Sequence, residues 1–338
     1  MVLNSSDYDN SENAQDSACL FGRVLDGKGG GRPISWKDAQ AWAPASDSET
    51  LWLHLDRTKP EALTLLQDTL RLPAATVDIL ISNETRPRAF REDDALITIL
   101  RGINFNDGQD PEDMIAMQIW ADERRVITLR RRRLQTPRDV LDEIEKGRGP
   151  KTAGDLVADI VEQLAAKMSR AIVNMNERID RLEQTDPASD VEGKLDEISG
   201  IRRNCLALQR FMSPQHEALT QISHDPPAFM SEENKKDVRE AIDRLRRYLD
   251  DLNVSKESAL VIQDDLNNRA TNQSNRTMYM LSIVAAIFLP LGFITGLLGI
   301  NVGGMPGVDS EMAFWVTVGL LTALLGVQLY VFRKLKWL

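Results

Sequence analysis

Cysteine and histidine are scarce in this 338-residue chain, which contains two Cys and three His. Cys19 and Cys205 lie far apart and form no C-x-x-C motif, so neither a disulfide framework nor a thiolate zinc site is expected. His54 lies in a strand-like run and is interpreted as structural. No nucleophile-elbow or zinc-protease motif is present, and we therefore expect a protein that is not an enzyme and has no resident cofactor.

Charged residues are missing from two long segments near the end of the sequence. Residues 278–300 contain no charge and 17 hydrophobic side chains, and residues 312–332 contain no charge and 16. Each segment is long enough to cross the roughly 30 Å hydrocarbon core of a bilayer as a helix. The first 22 residues have no basic residue and no apolar run, so we expect no cleaved signal peptide.

Basic residues are missing from the connector between these two segments, residues 301–311. They occur instead on the other sides of the segments, at Arg269, Arg276, Arg333, Lys334 and Lys336. The positive-inside rule therefore predicts two membrane helices with both chain termini in the cytoplasm.

The rest of the chain is acidic. The whole sequence has a net charge of −10, from 41 basic and 51 acidic residues. Residues 276–338 contribute +2 and residues 1–275 contribute −12. Such a soluble part is a poor partner for nucleic acid, which needs an organised basic surface, but it is compatible with cations. The Arg130–Arg133 run is accordingly expected to pair with neighbouring carboxylates.

Hydrophobic patterning divides the soluble part into three. Residues 1–17 are polar and acidic, and we expect them to be disordered. Residues 18–150 are expected to form an α/β domain with helices over Pro60–Leu70 and Pro73–Ser82. Residues 151–277 are expected to form a helical stalk. The strand-like runs of the α/β domain are Cys19–Leu25, Thr50–Asp56, Ala95–Phe105, Met114–Ala121 and Arg125–Arg130. The long helices are expected over Gly154–Glu183, Val191–Ser223 and Ser231–Ile300, the last running straight into the first membrane segment.

A stripe of mostly small or polar residues follows one face of this last helix. At heptad-like spacing its members are Asn275, Met278, Ser282, Ala285, Leu289, Gly292, Gly296 and Gly299. Small residues in a membrane helix are typical of close helix packing, and a pore lining is the sharper interpretation. Two membrane helices cannot enclose a water-filled path, so a pore requires an oligomer in which this stripe surrounds the symmetry axis.

The stripe ends in a glycine-rich motif at the outer end of the first membrane segment. Gly299-Ile300-Asn301 is followed by Val302-Gly303-Gly304-Met305-Pro306-Gly307, and Phe288-Leu289-Pro290-Leu291 lies before it in the same segment. With the terminal Lys336-Trp337-Leu338, these motifs resemble the CorA-type two-transmembrane divalent-cation transporters. The isoleucine at position 300 and the Gly-Gly-Met-Pro-Gly continuation resemble the ZntB zinc-transporter branch of that family.

The resemblance implies an α+β membrane protein that forms a funnel-shaped homopentamer in a bacterial inner membrane. Residues 278–300 would be the pore-lining helix, 301–311 the external loop, 312–332 the second membrane helix and 333–338 a basic cytoplasmic C-terminus. The motif asparagine maps onto Asn301 at the outer mouth. The family's pore positions map onto Asn275, Met278, Leu281, Leu289, Gly292 and Gly296. The family mapping gives Leu281 at the position where the spacing of the stripe gives Ser282, and both alternatives stay open.

Zinc transport is implied by the resemblance and not by ligand chemistry. Neither membrane segment contains the Cys or His that zinc prefers, and Met278 is more typical of a hydrophobic constriction than of a ligand. A ring of Asn301 carbonyls can instead hydrogen-bond the waters of a hydrated cation. We expect uptake of Zn²⁺, with Ni²⁺, Cd²⁺ and Co²⁺ as further ions. One alternative is a magnesium or cobalt channel of the same fold, gated by divalent cations in the cytoplasm. A second is a membrane-anchored scaffold or sensor without flux.

Proton coupling, which the zinc branch implies, has no ordinary relay in this sequence. Residues 277–308 contain no Asp, Glu, His, Lys or Arg. Asp309 and Glu311 in the connector would then attract cations and bind the protons, with carboxylates of the cytoplasmic part as the alternative. His216 and His224 are candidates for a cytoplasmic metal site, although ordinary structural or solvated histidines are the simpler interpretation.

Overall fold

The computed structural model of the chain describes residues 18–184, 190–300, 307 and 310–337. These residues fall into two compact units, one ending at Ile262 and the other beginning at Gln263. The strands are β1 (Cys19–Leu25), β2 (Gly31–Pro33), β3 (Thr50–Asp56), β4 (Arg88–Glu92), β5 (Ala95–Gly102), β6 (Ile115–Ala121) and β7 (Arg125–Arg130). The α-helices are α1 (Trp36–Gln40), α2 (Pro60–Thr64), α3 (Ala74–Ile81), α4 (Thr136–Glu145), α5 (Ala153–Gln184), α6 (Val191–His224), α7 (Glu232–Leu298) and α8 (Ala313–Lys334).

The first unit is built around one seven-stranded sheet with the order β2-β1-β3-β7-β6-β5-β4. Among the described strands, β3 and β7 form the single parallel pair, and the other neighbours are antiparallel. The parallel pair is central, where a strand must be covered on both faces and is therefore apolar at successive positions.

Strand β3 shows this double burial most clearly. Leu51, Leu53 and Leu55 belong to the core cluster that also contains buried side chains of α2 and α3. Trp52 and His54 alternate with these leucines and are also fully enclosed. The Nδ1 atom of His54 lies 2.9 Å from the Thr128 hydroxyl. Burial, with the nearby Arg130 and Arg138, lowers the pKa of His54 well below its ordinary value, so this histidine is neutral and structural.

The long helices α5 and α6 pack against the sheet, where they contact strands β4, β5 and β7. On α5, apolar residues recur every three or four positions and are buried, which is the pattern of a helix with one core-facing side. These buried residues include Leu156, Ile160, Leu164, Met168, Ile172 and Met175. The start of α7 is tied to α5 in the same unit, since the Asn234 side chain donates a 2.7 Å hydrogen bond to Asp155.

Most predicted elements are confirmed, with the three longest helices within two residues of their expected bounds. The predicted strand over Ala95–Phe105 is too long, because the chain leaves the sheet after Gly102. There the Asn104 amide donates to the Pro111 carbonyl, and the Asn104 side chain accepts from Asn106. The helix predicted over Pro60–Leu70 forms as α2 followed by a π-helical turn over Leu65–Thr69.

Four short elements were not predicted from the sequence, namely β2, β4, α1 and α4. Strands β2 and β4 are the two edges of the sheet, and they are short and polar, as edge strands often are. Their sequences therefore lack the apolar alternation by which a strand is recognised. Residues 1–17, for which disorder was expected, lie outside the described residues.

Candidate ion pathway along helix α7

Two of the described helices, α7 and α8, contain stretches long and apolar enough to cross a membrane. None of either stretch is buried inside the described chain, unlike the core helix of a soluble protein. Both lie toward the C-terminal end, unlike a signal sequence. These two helices therefore expose apolar surface that lipid or other subunits must cover.

One face of the apolar part of α7 packs against α8 within the second unit. The half-buried positions on this face of α7 are Ile283, Ala286, Ile287, Pro290, Leu291 and Ile294. On α8 the half-buried or buried positions recur at helical spacing, at Ala313, Thr317, Leu321, Leu324, Leu325, Gln328 and Phe332. These two sets of positions face each other, and they show which side of α7 packs against α8.

A side-chain hydrogen bond joins the two helices at the proline of α7. Pro290 has no amide hydrogen, so the carbonyl of Ala286, four residues earlier, loses its normal helical donor. The Gln328 side-chain amide of α8 points to that carbonyl, with an N···O distance of 3.4 Å. Gln328 was not singled out in the sequence, although a proline in one membrane helix signals that a polar side chain is needed on the other.

The stripe of small and polar residues lies on the opposite side of α7. At about 100° per residue, its mean direction is about 150° from that of the face packed on α8. All its described members are exposed in the single chain: Asn275, Met278, Ser282, Ala285, Leu289, Gly292, Gly296 and Gly299. A Cβ atom added at Gly292 or Gly296 would meet no atom within 4 Å. The stripe thus faces away from this chain's own second membrane helix.

Hydroxyl groups along α7 are satisfied within the helix. Ser282 donates to the Met278 carbonyl at 2.8 Å, and Thr295 donates to the Leu291 carbonyl at 3.0 Å. These bonds use the hydroxyl hydrogens and leave the oxygen lone pairs available as acceptors. Leu281, which is 64% exposed, and Ser282 both lie on the open side of the helix, so the choice between them stays open.

The two ends of the pathway differ in what the structure describes. At its C-terminal end α7 stops at Leu298, and the Gly299 amide closes the last turn by donating to the Thr295 carbonyl at 3.0 Å. Asn301 and Asp309 lie outside the described residues, and Ile300 and Glu311 are exposed.

At the other end, the Tyr279 hydroxyl of α7 donates to the Trp337 carbonyl at 3.0 Å. The Trp337 ring lies against Phe332, with centroids 5.7 Å apart. Arg333 and Lys334 occupy the last turn of α8, where positive charge favours the helix dipole. The hydrogen bond between Tyr279 and Trp337 therefore anchors the C-terminal residues to the start of the apolar part of α7.

Carboxylates in the first unit create a local excess of negative charge. Asp159 on α5 has its pKa raised to about 6, first by burial and then by the neighbouring Asp155, Glu162 and Asp237. Burial and nearby acids also raise the pKa of Asp237 on α7. This part of the molecule is suited to attracting cations.

The two histidines of the predicted cytoplasmic metal site lie on the same helix. His216 is half-buried and His224 is exposed, both on α6. Within the described part of the chain, no group of three or more His, Cys, Asp or Glu is placed to hold a metal ion. The role of these histidines stays a prediction.

Comparisons with known proteins agree with this architecture. The chain matches the family described as CorA-like Mg²⁺ transporter protein over residues 47–334. It is 36% identical over 329 residues to the divalent cation transporter CmaX of Pseudomonas aeruginosa, covering 97% of this chain and 99% of that protein. It is 32% identical over 329 residues to the zinc transport protein ZntB of Pectobacterium atrosepticum, covering 96% and 97%. The similarity therefore includes both the soluble part and the two apolar helices.

Solved structures show the same fold. The structure of the full-length CmaX protein matches with a TM-score of 0.84 at 36% identity, over 94% of this chain and 98% of that one. The cytoplasmic domain of ZntB from Vibrio parahaemolyticus matches with a TM-score of 0.67 at 21% identity, over 76% and 99%. The predicted fold class, an N-terminal α/β domain followed by long helices and two C-terminal apolar helices, is confirmed.

Proposed function

Because the chain belongs to the CorA-like Mg²⁺ transporter protein family, we propose that it carries divalent cations across the inner membrane of a bacterium. This is a family of transporters and not of enzymes. The family match extends far beyond residues 271–338, from which the resemblance was drawn. Both chain termini would lie in the cytoplasm, as the basic residues that flank the two apolar helices favour.

The observation that carries the proposal is the placement of the small-residue stripe on α7. One side of α7 is taken by α8, while the stripe on the other side is open and presents little side-chain volume at Gly292 and Gly296. In a homopentamer, five such stripes would surround one axial path, with Asn301 at its outer mouth. Leu289, Ala285, Met278 and Asn275 would follow in that order toward the cytoplasm, with Leu281 or Ser282 between Ala285 and Met278.

Zinc is the proposed physiological ion, with Ni²⁺, Cd²⁺ and Co²⁺ as further ions. The zinc assignment is supported by the relatives named ZntB, while the relative named CmaX supports only the broader class of divalent cations. The apolar part of α7 has no Cys, His, Asp or Glu. The ion would therefore pass with most of its water shell. A magnesium or cobalt channel is the second candidate, and the family description favours it.

Proteoliposomes containing zinc- or magnesium-sensitive dyes test the ion and its driving force together. Zinc flux that an inwardly directed proton gradient accelerates is the expected result. Magnesium flux that ignores the gradient, without zinc flux, would establish the second candidate. Protein that reconstitutes correctly and conducts neither ion would favour a scaffold or sensor.

The outer mouth is tested by Asn301→Ala, with Asn272→Ala, exposed on α7 but off the stripe, as the matched control. We expect the first variant to lose most of its flux and the second to retain it. Unchanged flux in Asn301→Ala would count against an asparagine ring.

Proton coupling is assigned to the connector carboxylates. The double variant Asp309→Asn with Glu311→Gln keeps side-chain size but removes both titratable groups. We expect it to lose the pH dependence of flux, and an unaltered pH profile would move the coupling to the cytoplasmic part.

A further inference from the structure

The C-terminal end of α8 closes in a defined backbone motif. The Trp337 amide donates to the Phe332 carbonyl at 2.8 Å, and the Lys336 amide donates to the Arg333 carbonyl at 3.1 Å. This pair of bonds is the Schellman motif, which is often accompanied by an apolar contact between its first and last residues. The Phe332 and Trp337 rings make that contact, with centroids 5.7 Å apart. The residues that follow α8 are therefore folded back onto its last turn.

A lysine stands at the position of this motif where glycine is usual. The φ angle of Lys336 is +56°, in the left-handed region that residues with a Cβ atom disfavour. Glycine would adopt this angle without strain, so the chain keeps a positive side chain here at a conformational cost. Residues held in such angles are concentrated at functional sites, which directs attention to the side chain of Lys336.

Four cationic side chains of the second unit lie around this turn. We call them the basic cluster: Arg276, Arg333, Lys334 and Lys336. Three of them belong to the end of α8 and the motif that closes it. The fourth lies on α7, one turn before Tyr279, whose hydroxyl donates to the Trp337 carbonyl at 3.0 Å. That hydrogen bond brings the end of α8 beside this part of α7, so both helices contribute charge to one surface.

The basic cluster has no acidic partner among the described residues. All four side chains are exposed, and none of them forms an ion pair within that part of the chain. The preceding cation on α7 differs, because the Arg269 guanidinium lies 2.7 Å from the Asp265 carboxylate. The carbonyls of Val331, Phe332 and Arg333 accept from backbone amides, so they do not need the cationic side chains as donors. The basic cluster thus presents four positive charges to its surroundings.

Aromatic side chains mark the basic cluster as the edge of the apolar segments. Tyr279 is 46% exposed and Trp337 is 47% exposed. Tyr and Trp are enriched where the hydrocarbon of a membrane meets the lipid headgroups. The residues that follow Arg276 on α7 are uncharged, as are the residues of α8 that precede Arg333. The basic cluster therefore lies at the level of the headgroups when α7 and α8 span a membrane.

We propose that the basic cluster binds the phosphate headgroup of one anionic phospholipid per chain, in the cytoplasmic leaflet. Arginine guanidinium groups bind phosphate oxygens in pairs, and lysines close to an anionic membrane surface add to the attraction. The exposed apolar surface of α7 and α8 beside the basic cluster packs against the acyl chains of the same molecule. The proposal rests on the two apolar helices spanning the membrane, and it adds a lipid partner that cation transport by itself does not require.

Native mass spectrometry of the full-length protein in detergent tests this lipid site. Phosphatidylglycerol and phosphatidylcholine with identical acyl chains are added in separate titrations, and the lipids retained on each oligomer are counted. We expect saturable retention of phosphatidylglycerol at one molecule per chain, and retention of phosphatidylcholine that is weaker by roughly tenfold or more, because its headgroup has no net charge. Equal retention of the two lipids would overturn the proposal.

The double variant Arg333→Gln with Lys334→Gln removes two charges of the basic cluster. Each basic residue near an anionic membrane surface changes affinity about fivefold, so we expect phosphatidylglycerol retention to weaken by roughly 25-fold. Arg269→Gln is the matched control, because it removes the same kind of charge from α7 but from an existing ion pair, and it should leave retention unchanged. Equal retention by the double variant and the control would contradict the assignment.

Lys336→Gly keeps the test valid where other changes disturb folding. Glycine favours the left-handed conformation at this position, so the motif that closes α8 is retained while one charge is lost. We expect retention of phosphatidylglycerol to weaken about fivefold with no decrease in the thermal midpoint of the lipid-free protein. Unchanged retention in Lys336→Gly would separate this lysine from the lipid and contradict its place in the site.

Two further measurements distinguish the lipid from other anions. A large excess of glycerol 3-phosphate should not displace phosphatidylglycerol, because it has the phosphate group but no acyl chains. Displacement would assign the basic cluster to a soluble phosphate compound and overturn the lipid proposal. Dissociation of the oligomer in the variants, with lipid retention unchanged, would overturn it in favour of carboxylates from another copy of the chain. Because no ion flux is measured, failure of this proposal is distinguishable from failure of the transport proposal.

Discussion

In the unit that ends at Ile262, apolar side chains are buried against other parts of the same unit, whereas many of those in the unit that begins at Gln263 face outward. Leu53 of β3 is 1% exposed, while Leu289 of α7 is 72% exposed. The hydrophobic effect alone can therefore hold the first unit together in water. The apolar surface of the second unit must be covered by lipid or by further copies of the chain, so it carries information about surroundings and assembly and not about the fold of one chain.

Polar side chains show the same contrast. In the first unit, ion pairs join different elements, as between Arg178 and Glu197 on α5 and α6. In the apolar helices of the second unit, hydroxyl groups such as those of Ser282 and Thr322 donate to carbonyls of their own helix. The two apolar helices thus interact with a cation only through their shape and through weak dipoles. Ion pairs between elements and clustered carboxylates lie in the first unit.

The largest expected effect tests whether the open stripe of α7 is the ion path. Gly296→Phe places a ring where a side chain meets no atom of its own chain, and in the oligomer it should block the path. Gly319→Phe on α8 is the matched control, because that glycine also has open space around it. We expect flux in proteoliposomes to fall by roughly a hundredfold for Gly296→Phe and by less than twofold for Gly319→Phe.

Equal losses in both glycine variants would mean that bulk anywhere on the membrane helices disturbs assembly. The oligomeric state of each variant in detergent therefore has to be measured beside its flux. A blocked but correctly assembled Gly296→Phe protein is the result that assigns the pathway to α7.

A second comparison concerns stability. Leu53→Ala removes a fully buried side chain from the core of the sheet and should lower the free energy of unfolding by about 2–5 kcal/mol. Leu289→Ala removes a side chain of the same size from the exposed stripe and should change the thermal midpoint of the detergent-solubilised protein little. If both changes destabilised the protein equally, Leu289 would be part of a packed subunit interface, and the stripe would be a packing surface.

Sequence patterns predicted the elements whose environment is local, and missed those that depend on distant partners. The apolar residues of strand β3 and helix α5 follow a pattern within each element that reflects its burial, so the bounds of both elements were predictable. Strands β2 and β4 are defined by the strands beside them, and their short polar sequences show no pattern. The stripe on α7 was visible as spacing, but only the packing of α8 shows that it lies on the open side. The Gln328 contact with the Ala286 carbonyl joins residues that no local pattern connects.

A third, smaller effect concerns the carboxylates of the first unit. Burial and acidic neighbours raise the pKa of Asp159 from 3.8 to about 6, so the folded protein binds this proton more tightly than the unfolded chain does. Stability from this group is present at low pH and is lost as the pH rises from about 4 to about 6. Asp159→Asn should therefore stabilise the protein at pH 7.5, by roughly 1 kcal/mol, and should have little effect near pH 4.

Thermal unfolding of the wild type and of Asp159→Asn across this pH range checks the prediction. Asp180→Asn, on the exposed side of the same helix, is the control and should give no pH-dependent difference. A stabilisation that did not change with pH would show that the effect of Asp159 is steric and does not come from its charge.

The smallest expected effect tests how the second unit satisfies its backbone without water. Gln328→Leu leaves the Ala286 carbonyl without its side-chain donor beside Pro290. Interhelical hydrogen bonds in membranes are worth about 0.6 kcal/mol on average, so we expect a loss of that order, measured as a small decrease in the thermal midpoint. The buried Oε1 atom of Gln328 has no partner among the described residues, which reduces the net loss further.

Pro290→Ala supplies the control through a double-mutant cycle. Alanine at position 290 restores an amide hydrogen that can bond to the Ala286 carbonyl within the helix, so Gln328 is no longer needed there. Gln328→Leu should then cost nothing, or should even stabilise, in the Pro290→Ala background. Equal costs of Gln328→Leu in both backgrounds would separate the glutamine from the proline. The contact would then be ordinary packing between α7 and α8, and the apolar seam alone would hold the two helices together.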